Sequence, residues 1–172
     1  MRVPLSRTVK NWLLQLRYRS NGWDFSPERR DMFIYNYVDW LKYYLPTSVK
    51  GLTVLDVGAG EGETARFFLE HGARKVLCIE PDEDCFVRLE KNALGRPIKC
   101  FHKRFNIDDL NLQFDFMKMD IEGYEEALLD VLVEKPCVVE VHGLQLREKF
   151  EKAGYTIRNP DVHGWISYAY RM

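Results

Sequence analysis

Apolar and polar positions follow two rhythms along the chain. From residue 51 onward, short apolar runs alternate with stretches whose apolar positions recur every three or four residues. The short runs TVLDV (53–57), KVLCIE (75–80), PIKCFH (97–102), FDFMKMD (114–120) and CVVEV (137–141) predict five strands. Between them, residues 64–71 predict a helix, and Asp82 can cap a second that runs to Asn92. A third is expected after the fourth strand, with Ala127, Leu128, Val131 and Leu132 on one face, and a fourth over 144–153, ended by Gly154. Residues 93–113 leave little room for a full helix between the third and fourth strands.

Two last apolar runs, YTIR (155–158) and WISYAYR (165–171), flank the turn-rich NPDVHG and predict a closing hairpin. Strands alternating with helices imply an α/β fold, a mostly parallel sheet with helices on both faces. The second rhythm belongs to residues 1–50, read as an N-terminal helical extension ahead of a domain over 51–172. There Trp12, Leu13, Leu16 and Tyr18 suggest one helix, and residues 32–45 another, with Phe33, Tyr37, Trp40, Leu41 and Tyr44 at helical spacing. These helices either cover one side of the sheet or cap the substrate; packing is the expected role of the aromatic stripe.

Composition adds limits. The chain has 172 residues, 30% charged and 46% hydrophobic, the balance of one folded domain with its own core. No apolar run approaches the roughly 20 residues that cross a bilayer. Arg and Lys interrupt the N-terminus where a signal peptide would be apolar, so a cytoplasmic protein is expected. Cys78, Cys85, Cys100 and Cys137 form no CxxC pair and are expected as buried, reduced thiols. The net charge of −1 hides a basic N-terminus, with Arg2, Arg7, Lys10, Arg17, Arg19, Arg29 and Arg30 against Asp24 and Glu28.

The strongest chemical signal is VLDVGAGEGETA, residues 54–65. A strand runs through Asp56 into Gly58, Ala59, Gly60, Glu61 and Gly62, then into a helix. Glycine lets such a turn lie against a ligand, and the helix start offers free N–H groups. The GxGxG spacing differs from the GxGxxG of dinucleotide sites and disfavours NAD. Glu80 ends the next strand, followed by Pro81, where a carboxylate can accept both ribose hydroxyls of an adenosyl group.

These residues resemble class I S-adenosylmethionine (SAM) dependent methyltransferases, and the FkbM-type family in particular. The second likeness rests on EPDEDCFVRLEKN (80–92), FMKMDIEGYEEALL (116–129), PCVVEVHG (136–143) and KAGY (152–155), and covers residues 50–156. It implies a Rossmann-like sheet of seven strands closed by the antiparallel hairpin, with SAM as cofactor and often a hydroxyl as acceptor. It also implies an adenine contact after the third strand, assigned to Asn106. Relatives of this kind can pair to complete a substrate pocket, and residues 12–44 are where a homodimer would form.

Methyl transfer needs the acceptor aligned with the S–CH3 axis, and a hydroxyl acceptor must lose its proton. Asp120, at the end of the fourth strand, is assigned to the cofactor's amino group or to a base role. Glu122 is a second catalytic candidate. Glu140 and His142 share one face of the fifth strand, so both can converge with Asp120 and Glu122 on one mouth of the sheet. His142 is expected as a base or acceptor-orienting residue rather than a metal ligand, and Lys118 as structural. The expected activity is O-methylation of a small or medium-sized hydroxylated acceptor. The alternatives are an RNA or protein methyltransferase docking through the basic helices, not favoured for nucleic acid, and a SAM-binding protein without turnover. The Asn/Asp-Pro-Pro-Tyr/Phe motif of base N-methylases is absent, since the fourth strand ends MDIEG.

Overall fold

The computed structural model describes residues 22–131, 133–158 and 165–172. The helix expected from Trp12, Leu13, Leu16 and Tyr18, the position of Leu132 and the NPDVHG connection lie outside them. Seven strands form one sheet: β1 (Thr53–Val57), β2 (Lys75–Glu80), β3 (Ile98–His102), β4 (Phe116–Met119), β5 (Cys137–His142), β6 (Thr156–Arg158) and β7 (Ile166–Arg171). Their order is β3-β2-β1-β4-β5-β7-β6. The five from β3 to β5 are parallel, while β7 runs antiparallel between β5 and β6 and closes the sheet as expected. The connection from β1 to β2 leaves in one direction and the sheet grows past β4 in the other. That reversal opens a crevice at the carboxyl ends of β1 and β4, where open α/β sheets hold ligands.

Among the described residues, four helices accompany the strands: α1 (Pro27–Tyr43), α2 (Glu63–Glu70), α3 (Glu83–Ala93) and α4 (Leu144–Lys152). α1 starts where Ser26 accepts a hydrogen bond from Arg29 N and Pro27 takes the first turn, a favourable pairing of cap and proline. It therefore begins five residues before the helix expected from periodicity. Its buried stripe is Phe33, Ile34, Tyr37, Trp40 and Tyr43. Leu41 is exposed instead, because Tyr43 occupies the inward register, stacked on Tyr168 at 4.6 Å.

The sheet separates two cores. Val54, Val76, Cys78, Phe116 and Val138 face the aromatic side, covered by α1, α2 and α3. Leu55, Val57, Leu77, Ile79, Met117, Met119, Val139 and Val141 face the other, covered by Phe150 of α4, Phe105, Phe114 and Leu128. The strict alternation within β1 and β4 is the period-two signature of strands buried on both faces.

The helix expected after β4 is replaced, among the described residues, by a 3₁₀ turn at Glu125–Leu128. Glu122 and Gly123 hold left-handed φ values of 45° and 102°, which breaks any continuous right-handed helix from the strand end. Glu125 is then turned inward and fully buried. A second 3₁₀ turn, Ile107–Asn111, fills the short passage between β3 and β4. All four cysteines are free, but Cys85 and Cys100 are only partly buried, contrary to expectation, because α3 and edge strand β3 leave them near solvent.

Candidate functional site

The Gly-rich turn is fastened from below. Asp56 is fully buried and receives a 2.6 Å hydrogen bond from Thr64 Oγ1. Lys118 Nζ lies 3.2 Å from Asp56 Oδ1 and donates to Gly58 O at 2.8 Å. Burial pulls the acid's pKa upward and the lysine opposes it; the lysine in turn is held high by Asp56. Asp56 thus supports the turn from inside the sheet, and Lys118 takes the structural place expected of it.

Gly58 shows why no side chain fits at the crevice floor. Its φ is +75°, and a Cβ there would lie 1.8 Å from Asp120 O, the backbone of the neighbouring strand end. Gly62 serves a different purpose. A Cβ on it would meet Leu89 and Trp23, so its lack of a side chain admits α3 and the chain before α1. Ala59 is buried. Glu61 is drawn away from the crevice, accepting from Ser26 N at 2.6 Å and facing Arg88 at 3.5 Å.

Glu80 closes the turn from the side. One carboxylate oxygen accepts from Gly60 N at 2.8 Å and the other from Asp82 N at 2.9 Å. Each retains lone-pair capacity for a hydroxyl. A cleft of about 570 Å³ opens beside it, lined by Val57, Gly58, Ile79, Pro81, Arg104, Phe105, Ile121, Glu122, Gly123 and Tyr124. That volume lies in the range of small-molecule sites. Glu122 is exposed on this wall. Asn106 is exposed and acts as the cap of the 3₁₀ turn, its side chain accepting from Asp108 N. Arg104 and Tyr124 carry no signal in sequence, since nothing in their spacing ties them to the Gly-rich turn.

Farther along the same sheet edge, Asp120, Glu140 and His142 come together, with one ligand-type atom of each within 4.8 Å of the others. His142 Nε2 is 3.7 Å from Glu140 Oε1, and its Nδ1 is 2.7 Å from Glu125 Oε1. Tyr44, just beyond α1, donates its hydroxyl to Glu140 Oε2 at 2.6 Å. The hydrogen bond to Glu125 raises the His142 pKa above the ordinary imidazole value. Burial, then the Asp120 charge, raises that of Glu140. Tyr44 and Glu125 escaped the sequence reading because each reaches the site from an element whose position only packing defines.

A seven-stranded sheet in this order, with a glycine turn at the switch point and a terminal antiparallel hairpin, is the fold of class I SAM-dependent methyltransferases. Solved structures agree. A methyltransferase from Pyrococcus furiosus superposes with a TM-score of 0.63 at 15% identity, over 95% of this chain and 94% of that one. Fibrillarin from Aeropyrum pernix, crystallised with natively bound SAM, gives 0.62 at 15% identity over 80% and 74%. At such identities the likeness establishes the fold.

No family model matches the chain. Among curated relatives, ribosomal protein L11 methyltransferase of Aquifex aeolicus is 35% identical over 94 residues, 54% of this chain and 37% of that protein. Ribosomal RNA small subunit methyltransferase A of Dinoroseobacter shibae is 43% identical over 53 residues, 31% and 19% of the two chains. The chain therefore spans well under half the length of these relatives.

Proposed function

We propose that the protein is a SAM-dependent methyltransferase that delivers the methyl group to a hydroxyl held at the mouth formed by Asp120, Glu140 and His142. The observation that carries the cofactor half is Glu80: a carboxylate fixed by Gly60 N and Asp82 N, beside an open cleft at the switch point. The ribose hydroxyls of the adenosyl group donate to it, the adenine lies toward Phe105 and Pro81, and Asn106 flanks it. The Gly58–Gly62 turn approaches the cofactor backbone, and Asp120 faces its amino group. The FkbM-type likeness of residues 80–92, 116–129 and 136–143 belongs to the same reading.

The acceptor half rests on electrostatics. Asp120 and Glu140 at the mouth, with Glu122 on the cleft wall, give it a negative character, which suits the cationic sulfonium and repels phosphate. That favours a hydroxylated acceptor over a nucleic-acid backbone, although the relatives' names favour ribosomal protein or RNA as a second reading. Salt-sensitive retention on RNA would support that second reading, because phosphate contacts release counterions.

The deciding experiment is calorimetric titration with SAM and S-adenosylhomocysteine, with NAD as a decoy. Saturable SAM binding is expected, weakened at least tenfold by Glu80→Ala while the thermal melt stays cooperative, and absent for NAD. NAD binding, or SAM binding indifferent to Glu80→Ala, would overturn the cofactor reading.

A further inference from the structure

The mouth of the sheet holds its acids in an arrangement that acceptor binding alone does not require. Asp120 follows the end of β4, while Glu140 and His142 project from the same face of neighbouring β5. His142 Nδ1 sits 2.7 Å from Oε1 of Glu125, and the second oxygen of that fully buried carboxylate accepts from Gly123 N, also at 2.7 Å. Glu125 can only accept, so Nδ1 carries the proton and Nε2 is turned toward Glu140 at 3.7 Å. A carboxylate behind a histidine is the support that fixes the ring and tautomer of metal-ligating imidazoles. Glu140 is fixed as well: Tyr44 binds its Oε2, leaving Oε1 toward the cluster.

The charge balance points the same way. Asp120, Glu140 and Glu125 bring three carboxylates to a partly buried mouth. The lysine within reach, Lys118, lies closer to Asp56 (3.2 Å) than to Asp120 (4.0 Å), so its charge is already committed. A bound cation would add the positive charge that Lys118 commits to Asp56.

We propose that Asp120, Glu140 and His142 bind one divalent first-row transition-metal ion of the Mn²⁺-to-Zn²⁺ class. One imidazole with two carboxylates favours such ions over Mg²⁺ or Ca²⁺, whose sites are built from oxygen. Asp120 is the most exposed of the three, with 31% of its side chain open. Three protein ligands leave coordination positions for an acceptor hydroxyl, which a bound ion makes more acidic. His142 thereby takes a ligand role in place of the base or acceptor-orienting role expected from sequence. The site's link to the hydroxyl acceptor rests on the proposed function; ion binding itself does not depend on SAM.

The test is titration of the metal-stripped full chain with MnCl₂, followed by calorimetry and by the loss of the free Mn²⁺ electron paramagnetic resonance signal. MgCl₂ serves as the comparison, and SAM is titrated in parallel. One Mn²⁺ per chain is expected, bound more tightly than Mg²⁺. Binding should vanish in His142→Ala and weaken about 10–100-fold in Glu125→Gln, where only the support behind the imidazole changes. Asp120→Asn, on a more exposed side chain, provides the same loss if His142→Ala fails to fold. No saturable Mn²⁺ binding by the wild type, or binding unchanged in folded variants, would overturn the proposal. Mn²⁺ binding without SAM binding would sustain the metal site and defeat the cofactor reading instead.

Discussion

Two aspartates at the ends of adjacent central strands have opposite fates. Asp56 in β1 is sealed, with Thr64 on one oxygen and Lys118 on the other, and no exposed surface. Asp120, one residue beyond β4, is nearly a third open, and its ion pair with the same lysine is long, at 4.0 Å. The difference shows how one buried cation divides the sheet edge. Lys118 neutralises the inner acid, which holds the glycine turn in place. The outer acid is left facing the mouth.

Breaking the sealed pair should have the largest effect. Lys118→Met leaves Asp56 buried and uncompensated, with an expected loss of roughly 3–5 kcal/mol in unfolding free energy by urea titration. A loss below about 1 kcal/mol would mean that the pair is not a structural fastening.

Glu63, at the start of α2, sharpens the sealed side of the comparison. It is almost fully buried, its Oε1 lies 3.7 Å from Arg29 Nε, and burial pushes its carboxyl from the ordinary 4.5 up to about 7. The fold therefore prefers the protonated acid. Its contribution is complete below pH 4.5 and is lost as the pH rises through 7. Glu63→Gln should abolish that decline and raise stability at pH 8 by about 3 kcal/mol, read from melting curves across pH. A wild type and variant with parallel pH profiles would rule this out.

The open side should respond least. Asp120→Asn removes a partly solvated charge with one long ion pair, so unfolding free energy should stay within about 1 kcal/mol of wild type. A larger loss by the same urea titration would place Asp120 in the scaffold with Asp56, and the contrast between the two acids would disappear.

Much of the scaffold was readable because it depends on local pattern. β1 and β2 occupy the residues their apolar runs indicate, and Asp82 caps α3 through Cys85 N. The terminal hairpin also pairs as its flanking runs suggest, through Thr156–Tyr170 to Arg158–Tyr168. The segment after β4 was misread because helical periodicity over Ala127 and Leu128 cannot report the left-handed residues 122 and 123 that precede it. Likewise, nothing at Tyr44 or Glu125 in sequence says that they meet Glu140 and His142, 96 and 17 residues away.

By itself, the sequence determined the strand–helix alternation, the glycine turn between Asp56 and Glu80, and the shared strand face of Glu140 and His142. These are consequences of backbone period and of residue size at single positions. The tertiary structure alone decided that Asp56 is sealed while Asp120 is open. It also turned His142 by a buried carboxylate and tied Glu140 to the N-terminal helix through Tyr44. Those outcomes depend on which side chains packing desolvates together, and desolvation is set by distance in space rather than along the chain.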